Sequence, residues 1–258
     1  MSESSFELIM LSVRDDVAYV QLENPPVNIM TGAMMDEISA ALETVSGNPD
    51  LKAVAFTAGG KAFCAGADVG EHKPANASAM IASFGRLFRR LDALEVPVVM
   101  AVSGAAMGAG FEFILMADVL LAADDATFGQ PEIRLGFFAP VGVVELPARV
   151  GRAKAMEITC SGRSYSANEM VDLGLVTRVV PGADLESALE AILKDFRRAS
   201  PLVLRLNTRT LKAARPLDFA AALDEAERVF LEDLMTAADP VEGIAAFYEK
   251  RRPEWKNA

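Results

Sequence analysis

Two carboxylates stand out by the company they keep. GAGFE (108–112) sets Glu112 between Phe111 and Phe113, with Ile114 and Leu115 following, and GQPEIRLG (129–136) places Glu132 directly after Pro131. A glutamate buried with its charge and no partners among such neighbours costs several kcal/mol. Either Glu112 turns to solvent on a helix surface, or burial raises its pKa toward neutrality and makes it a general acid or base. Glu132 in isolation reads as a surface ion pair with Arg134. Beside Glu112 it becomes the second proton-transfer group that water addition requires, since one group must take a proton and another give one.

The glycines around Glu112 have a physical purpose. A Gly-Ala-Gly turn between strand and helix permits unusual dihedrals and close backbone approach. It also leaves the first amides of the helix unpaired, ready for an anionic oxygen of a phosphate or an enolate. FCAGAD (63–68) has the same style, with Asp68 as an expected helix N-cap. Two such turns can offer one amide each to a shared oxygen. Phe137, Phe138, Pro140 and Met107 either line a pocket suited to a ring or pack as ordinary core. His72 is the only histidine; it either borders that pocket or sits on an exposed loop, and the loop is the expectation.

Other chemistries fit poorly. A Ser–His–Asp hydrolase would need His72 with Ser103, and no G-x-S-x-G element surrounds that serine. One histidine excludes a His-rich metal site. GAAMGAG lacks the G-x-G-x-x-G spacing of a dinucleotide turn, and Glu112 would bring negative charge toward a pyrophosphate.

The elements that must position these residues alternate. Strand patterns at 17–22, 52–57, 98–102, 119–122 and 176–180 are interleaved with helical spacing at 33–46 and 79–95. Residues 103–110 read as a turn leading into a buried helix. This pattern is an α/β fold with mostly parallel pairing. After about Ser200 only helices are expected. They carry apolar stripes at Phe219, Leu223, Ala226, Phe230 and Leu234, then at Val241, Ile244, Phe247 and Tyr248, able to pack on the chain's own core or on a neighbouring subunit. The expected division is a core over 1–200 and a helical region over 201–258.

Of the 258 residues 52% are hydrophobic and 24% charged, as in a globular protein. A net charge of −11 argues against nucleic acid and anionic membranes as partners, because both need basic surface. Cys64 and Cys160 lack metal-ligand spacing and read as reduced thiols. The apolar segment 96–117 approaches the length of a membrane span, but Pro97, Gly104, Gly108, Gly110 and Glu112 interrupt it, so a buried strand–turn–helix is expected. The first residues carry no signal-peptide pattern, and a cytoplasmic location follows as the expectation.

KAFCAGAD, GAAMGAGFE, ATFGQPEIRLG and GLVTRVVP, in this order and spacing, resemble the motifs of the enoyl-CoA hydratase/isomerase (crotonase) superfamily. The resemblance runs from about Ala18 to Arg252. Within it, VNIM, ADVGEH, GQPEIRLGFFAP and the ending LEDLMTAADPVEGIAAFYEKRRPEW are similar to the dienoyl-CoA hydratases that act on a cyclohexadiene carbonyl thioester. The resemblance implies a spiral of ββα units with a C-terminal helical region that assembles homotrimers, often paired into hexamers. It implies an acyl-CoA thioester substrate and no cofactor or metal. By motif position, the N–H groups of Ala67 and Ala109 form an oxyanion hole. Glu112 and Glu132 fall on the two catalytic glutamates, with Glu112 expected nearer the base role and Glu132 the acid. Ala65, Asp68, Met107, Gly108, Phe137, Pro140, Phe247 and Lys250 are the expected substrate and CoA contacts. Lys61, Lys73, Lys250, Arg251 and Arg252 are candidates for the CoA phosphates. The alternatives are a Δ-isomerase of the same superfamily, using one glutamate, and a non-catalytic CoA-thioester-binding subunit.

Overall fold

The computed structural model describes residues 6–258. Its main sheet is built from β1 (Ile9–Arg14), β2 (Val17–Leu22), β3 (Ala53–Ala58) and β4 (Val98–Val102) in that order. A short strand β5 (Ala105–Met107) leaves for a second sheet, and β6 (Val119–Ala123) returns to the first, next to β4. β7 (Thr127–Gly129) and β8 (Ser164–Ser166) complete the second sheet, and β9 (Arg178–Val180) closes the edge of the first. β1 and β2 are antiparallel, and every later pairing in the main sheet is parallel.

Parallel strands covered on both faces read as unbroken apolar runs, and VVMAV is one. Val98, Met100 and Val102 point into the larger core, with Phe56 of β3 and Phe113 beyond. Val99 and Ala101 point the other way, onto Leu189 and Leu193. Those two leucines belong to a helix over Leu185–Arg198. The larger core is roofed by α1 (Gly32–Ser46), which Thr31 caps by accepting from the Met34 N–H, and by α2 (Ala77–Asp92). The sequence expectation for both helices holds within a few residues.

Segment 96–117 divides as expected into strand, turn and helix, with one difference. The stretch read as a turn contains β5, which pairs with β7 and, through Ala106, bridges to Cys64. Three residues are too short to show a period, so only partners distant in sequence reveal the strand. Among the described residues no helix is long and apolar enough to cross a membrane. Both cysteines are free, Cys64 buried and Cys160 exposed.

Beyond Ser200 the chain is helical, through Pro201–Ala214, Phe219–Arg228, a π-helical stretch at Val229–Leu234 and Ala238–Glu249. Lys212 ties this region to the core. Its Nζ donates to the carbonyls of Leu91, Asp92 and Leu94, meeting the negative end of α2 with a cation. Much of the apolar stripes stays uncovered by the described residues: Phe219 is 82% exposed, Phe247 79% and Tyr248 78%.

Candidate active site

Glu112 lies in α3 (Ala109–Ile114), a helix of six residues. So short a helix has no stability of its own. Phe111 and Phe113 hold it in place, both fully buried. The Phe113 ring meets Phe56 edge-on at 5.0 Å and lies near Phe63 and Phe88. Each such aromatic pair contributes about 0.5–1.5 kcal/mol beyond area burial. Glu112 is therefore carried inward by its neighbours, and only 2% of it is exposed. The surface reading of this residue fails.

Its carboxylate finds two partners. Oε1 accepts from the Val141 N–H at 2.6 Å and the Gly142 N–H at 3.1 Å, the amides that open the helix α4 (Gly142–Ser161). Those donors favour the charged form, but burial outweighs them, and Glu132 nearby opposes a second charge. The Glu112 pKa is pushed up from 4.5 to about 8.

Glu132 sits in a 3-10 turn, Pro131–Leu135, opened by Pro131 and closed by Gly136 at a left-handed φ of 85°. No ion pair forms with Arg134, whose guanidinium donates instead to the Ser161 carbonyl. Glu132 Oε2 is buried without a protein partner among the described residues. Burial raises its pKa; its own backbone amide opposes that rise first, and His72 across the cavity second.

The two glycine turns converge here. Gly108 has φ 55°, outside the reach of most L-residues, and its N–H donates to the Gly129 carbonyl. A methyl on Gly108 would stand 3.2 Å from Glu132 Oε1 and 3.6 Å from the Gly66 Cα. The turns are laced together by Cys64 N–H to Ala105 O (3.0 Å) and Met107 N–H to Cys64 O (2.9 Å). Ala67 and Ala109 follow Gly66 and Gly108, and neither N–H has a protein acceptor among the described residues. Positive φ falls on Gly108 and not on Ala109, the first residue of α3, so the alanine there is unstrained.

Both alanines and both glutamates line one cavity of about 370 Å³. Phe137, Phe138 and Pro140 line it as well, as the sequence suggested, and so do Ala65 and Gly108. Other expected contacts do not. Met107 is absent from the lining, its sulfur directed toward Gly129. Asp68 is a cap, accepting from the Gly70 N–H at 2.6 Å. Phe247 and Lys250 lie on the exposed C-terminal helix, away from the cavity lining. Arg251 is engaged by Glu242 and Glu249. Sequence reasoning missed Met80, Ile81 and Phe84 of α2, which form one wall. Ile81 carried a signal, since it stands off the buried stripe of its helix and is 47% exposed. The exposed-loop expectation for His72 is also wrong: the ring is half-buried, packs 4.9 Å from the Phe137 ring and lines the cavity.

A parallel-rich sheet with a helical roof, two converging amide turns and a pair of carboxyls facing one cavity together define a fold class with a known family. The enoyl-CoA hydratase/isomerase family model matches residues 12–258, and the chain belongs to that family. It is similar to the cyclohexa-1,5-dienecarbonyl-CoA hydratase of Thauera aromatica, 37% identical over the whole length of both chains. Among solved structures it resembles an enoyl-CoA hydratase from Mycobacterium smegmatis (29% identity, TM-score 0.90, 97% and 99% of the two chains). Another enoyl-CoA hydratase, from Bacillus anthracis, matches at 27% identity and TM-score 0.92 over 98% and 100%. These relatives are named hydratases, which are hydro-lyases.

The raised pKa of Glu112 has a cost in stability. Between pH 4.5 and about 8 the folded chain holds a proton that the unfolded chain has released, so stability falls as pH rises through that window. Glu112→Gln keeps the acceptor for both amides and removes the titration. Thermal unfolding at pH 8.5 is expected to show the variant more stable, by at most about 5 kcal/mol, or up to about 10 °C. At pH 5 the two proteins should differ little. A variant no more stable than the parent at pH 8.5 would show that Glu112 is not held as a strained buried acid.

Proposed function

We propose that the chain is a cofactor-independent hydratase of an α,β-unsaturated acyl-CoA thioester. One observation carries this reading: a buried carboxyl, a half-buried one and two amide donors without a protein acceptor among the described residues share a single cavity with otherwise almost wholly apolar walls. In this proposal the thioester oxygen accepts from the Ala67 and Ala109 N–H groups. Those hydrogen bonds strengthen as enolate charge develops, and one such donor is worth about 3–4 kcal/mol in comparable sites.

A pair of carboxyls under burial holds one proton more readily than two charges. The carboxylate member takes a proton from water as its oxygen bonds to the unsaturated carbon. The carboxylic acid member gives its proton to the enolate carbon. The proton taken replaces the proton given, and the pair is restored. The expected split, Glu112 as base and Glu132 as acid, runs against the resting proton affinity of Glu112, so the roles are assigned to the pair.

The cyclic dienoyl thioester is the favoured substrate. The Thauera relative is named for that substrate, and Phe84, Phe137 and Phe138 give the cavity flat apolar walls. A one-glutamate isomerase would leave one carboxyl without a task. Incubation with a thioester panel in ¹⁸O-labelled water tests the choice. Hydration puts one labelled oxygen into the product; double-bond migration without label would establish the isomerase, and no turnover on any member the silent binder.

The exposed faces of the region 201–258, with Phe219, Phe230, Val241 and Phe247 at the surface, are proposed as the contact between copies in a homotrimer or a pair of trimers. A separate core over 1–200, a CoA contact for Phe247 and Lys250, and a cytoplasmic location belong to the same reading.

A further inference from the structure

Among the described residues only three polar side chains line the cavity: Glu112, Glu132 and His72. The first two suffice for water addition, and the third is unexplained. Its placement is built. Asp68 caps the short turn Val69–His72 through the Gly70 N–H, and Glu71 anchors it by accepting from the Gly32 N–H at 2.9 Å. The imidazole Nδ1 lies 2.8 Å from the Asp68 carbonyl, to which it must donate, so the Nδ1–H tautomer is fixed. Nε2 then has no protein partner among the described residues. Phe137 packs against the ring.

Glu132 presents the complementary shortage, a buried Oε2 with no donor. One cavity thus holds a ring nitrogen that can carry a proton and an oxygen that lacks one. We propose that His72 is a positioning residue that sets the charge state of Glu132 from across the acyl cavity, through a proton carried on Nε2. This rests on the hydratase reading but adds a residue that it does not require.

The charged groups around the ring are few. Its own turn contributes Asp68, Glu71 and Lys73; the first two are engaged by backbone amides. Glu132 faces it from the turn after β7 and Glu112 from α3, while α2 and the segment 136–140 offer the cavity only uncharged side chains. A positive charge on the imidazole favours the carboxylate form of Glu132, so removing it raises the Glu132 pKa.

The test is the pH dependence of kcat/KM for the parent, His72→Gln, His72→Phe and Glu132→Gln, beside infrared titration of the carboxyl bands of ¹³C-glutamate-labelled protein without substrate. Both His72 variants are expected to move to higher pH the limb that Glu132→Gln abolishes, and to move the Glu132 carboxyl band with it. KM should change less than threefold. An unmoved Glu132 band in both variants would overturn the proposal, as would a shift confined to His72→Phe, which would mark a packing effect. Because the infrared arm needs no turnover, an inactive parent would defeat the hydratase reading and leave the His72 result readable.

Discussion

Glu112→Gln and Glu132→Gln are each expected to lower turnover by at least about a hundredfold, the lower end for loss of a proton-transfer group. The amide keeps the size of the carboxyl and, at 112, keeps an oxygen for the Val141 and Gly142 N–H groups. A fold defect therefore cannot account for the loss, and the alkaline gain in stability expected for Glu112→Gln reinforces the separation. The double variant should be little worse than either single one, because the groups work as a unit and their effects do not add. Initial rates with the accepted thioester decide it. Near-normal turnover in either variant would remove that residue from the pair.

The second large effect is expected at Gly110, which does not line the cavity. A methyl there would lie 2.4 Å from the Cys64 carbonyl oxygen and 2.7 Å from its Cβ. The oxygen is backbone and already accepts from Met107, so it cannot give way as a flexible side chain would. Gly110→Ala must push the first turn of α3 off the loop that carries Ala67. Overpacking of this kind costs about 1–3 kcal/mol, and more where backbone is the obstacle. It also parts the two amide donors, and small displacements of that sort can cost about a hundredfold in rate. The expected result is a Tm lower by roughly 5–10 °C together with a fall of at least about tenfold in kcat/KM. Gly47→Ala is the control: φ is −79° and a methyl meets nothing within 4 Å, so stability and rate should stay near the parent's. A Gly110→Ala protein with unchanged rate would show that the close approach of the two turns does not set the site.

Much of this arrangement was legible in the residues. The buried strands 17–22 and 98–102 follow from their apolar runs, and Glu112 declared itself because a carboxylate among phenylalanines demands an explanation. The glycine turns announced unusual backbone, and Gly66 and Gly108 do have positive φ. What could not be read depends on partners far along the chain. β5, β7 and β8 have three residues each and exist only by pairing with one another. His72 looked like a loop residue because its own neighbours are polar; Phe137, 65 positions later, is what draws its ring into the cavity wall. Met107 failed for a similar reason: in a strand, alternate side chains leave by opposite faces, and its sulfur leaves toward Gly129. The donors to Glu112 were invisible because they are backbone amides of Val141 and Gly142, whose side chains carry no chemistry.

The most direct measurement is a crystal structure of the protein with a bound acyl-CoA thioester. The thioester oxygen is predicted to stand about 2.7–3.1 Å from the amide nitrogens of both Ala67 and Ala109, with the carboxyl groups of Glu112 and Glu132 on one side of the acyl carbons. A thioester oxygen turned away from those two amides, or an acyl group outside the reach of both carboxyls, would contradict the account.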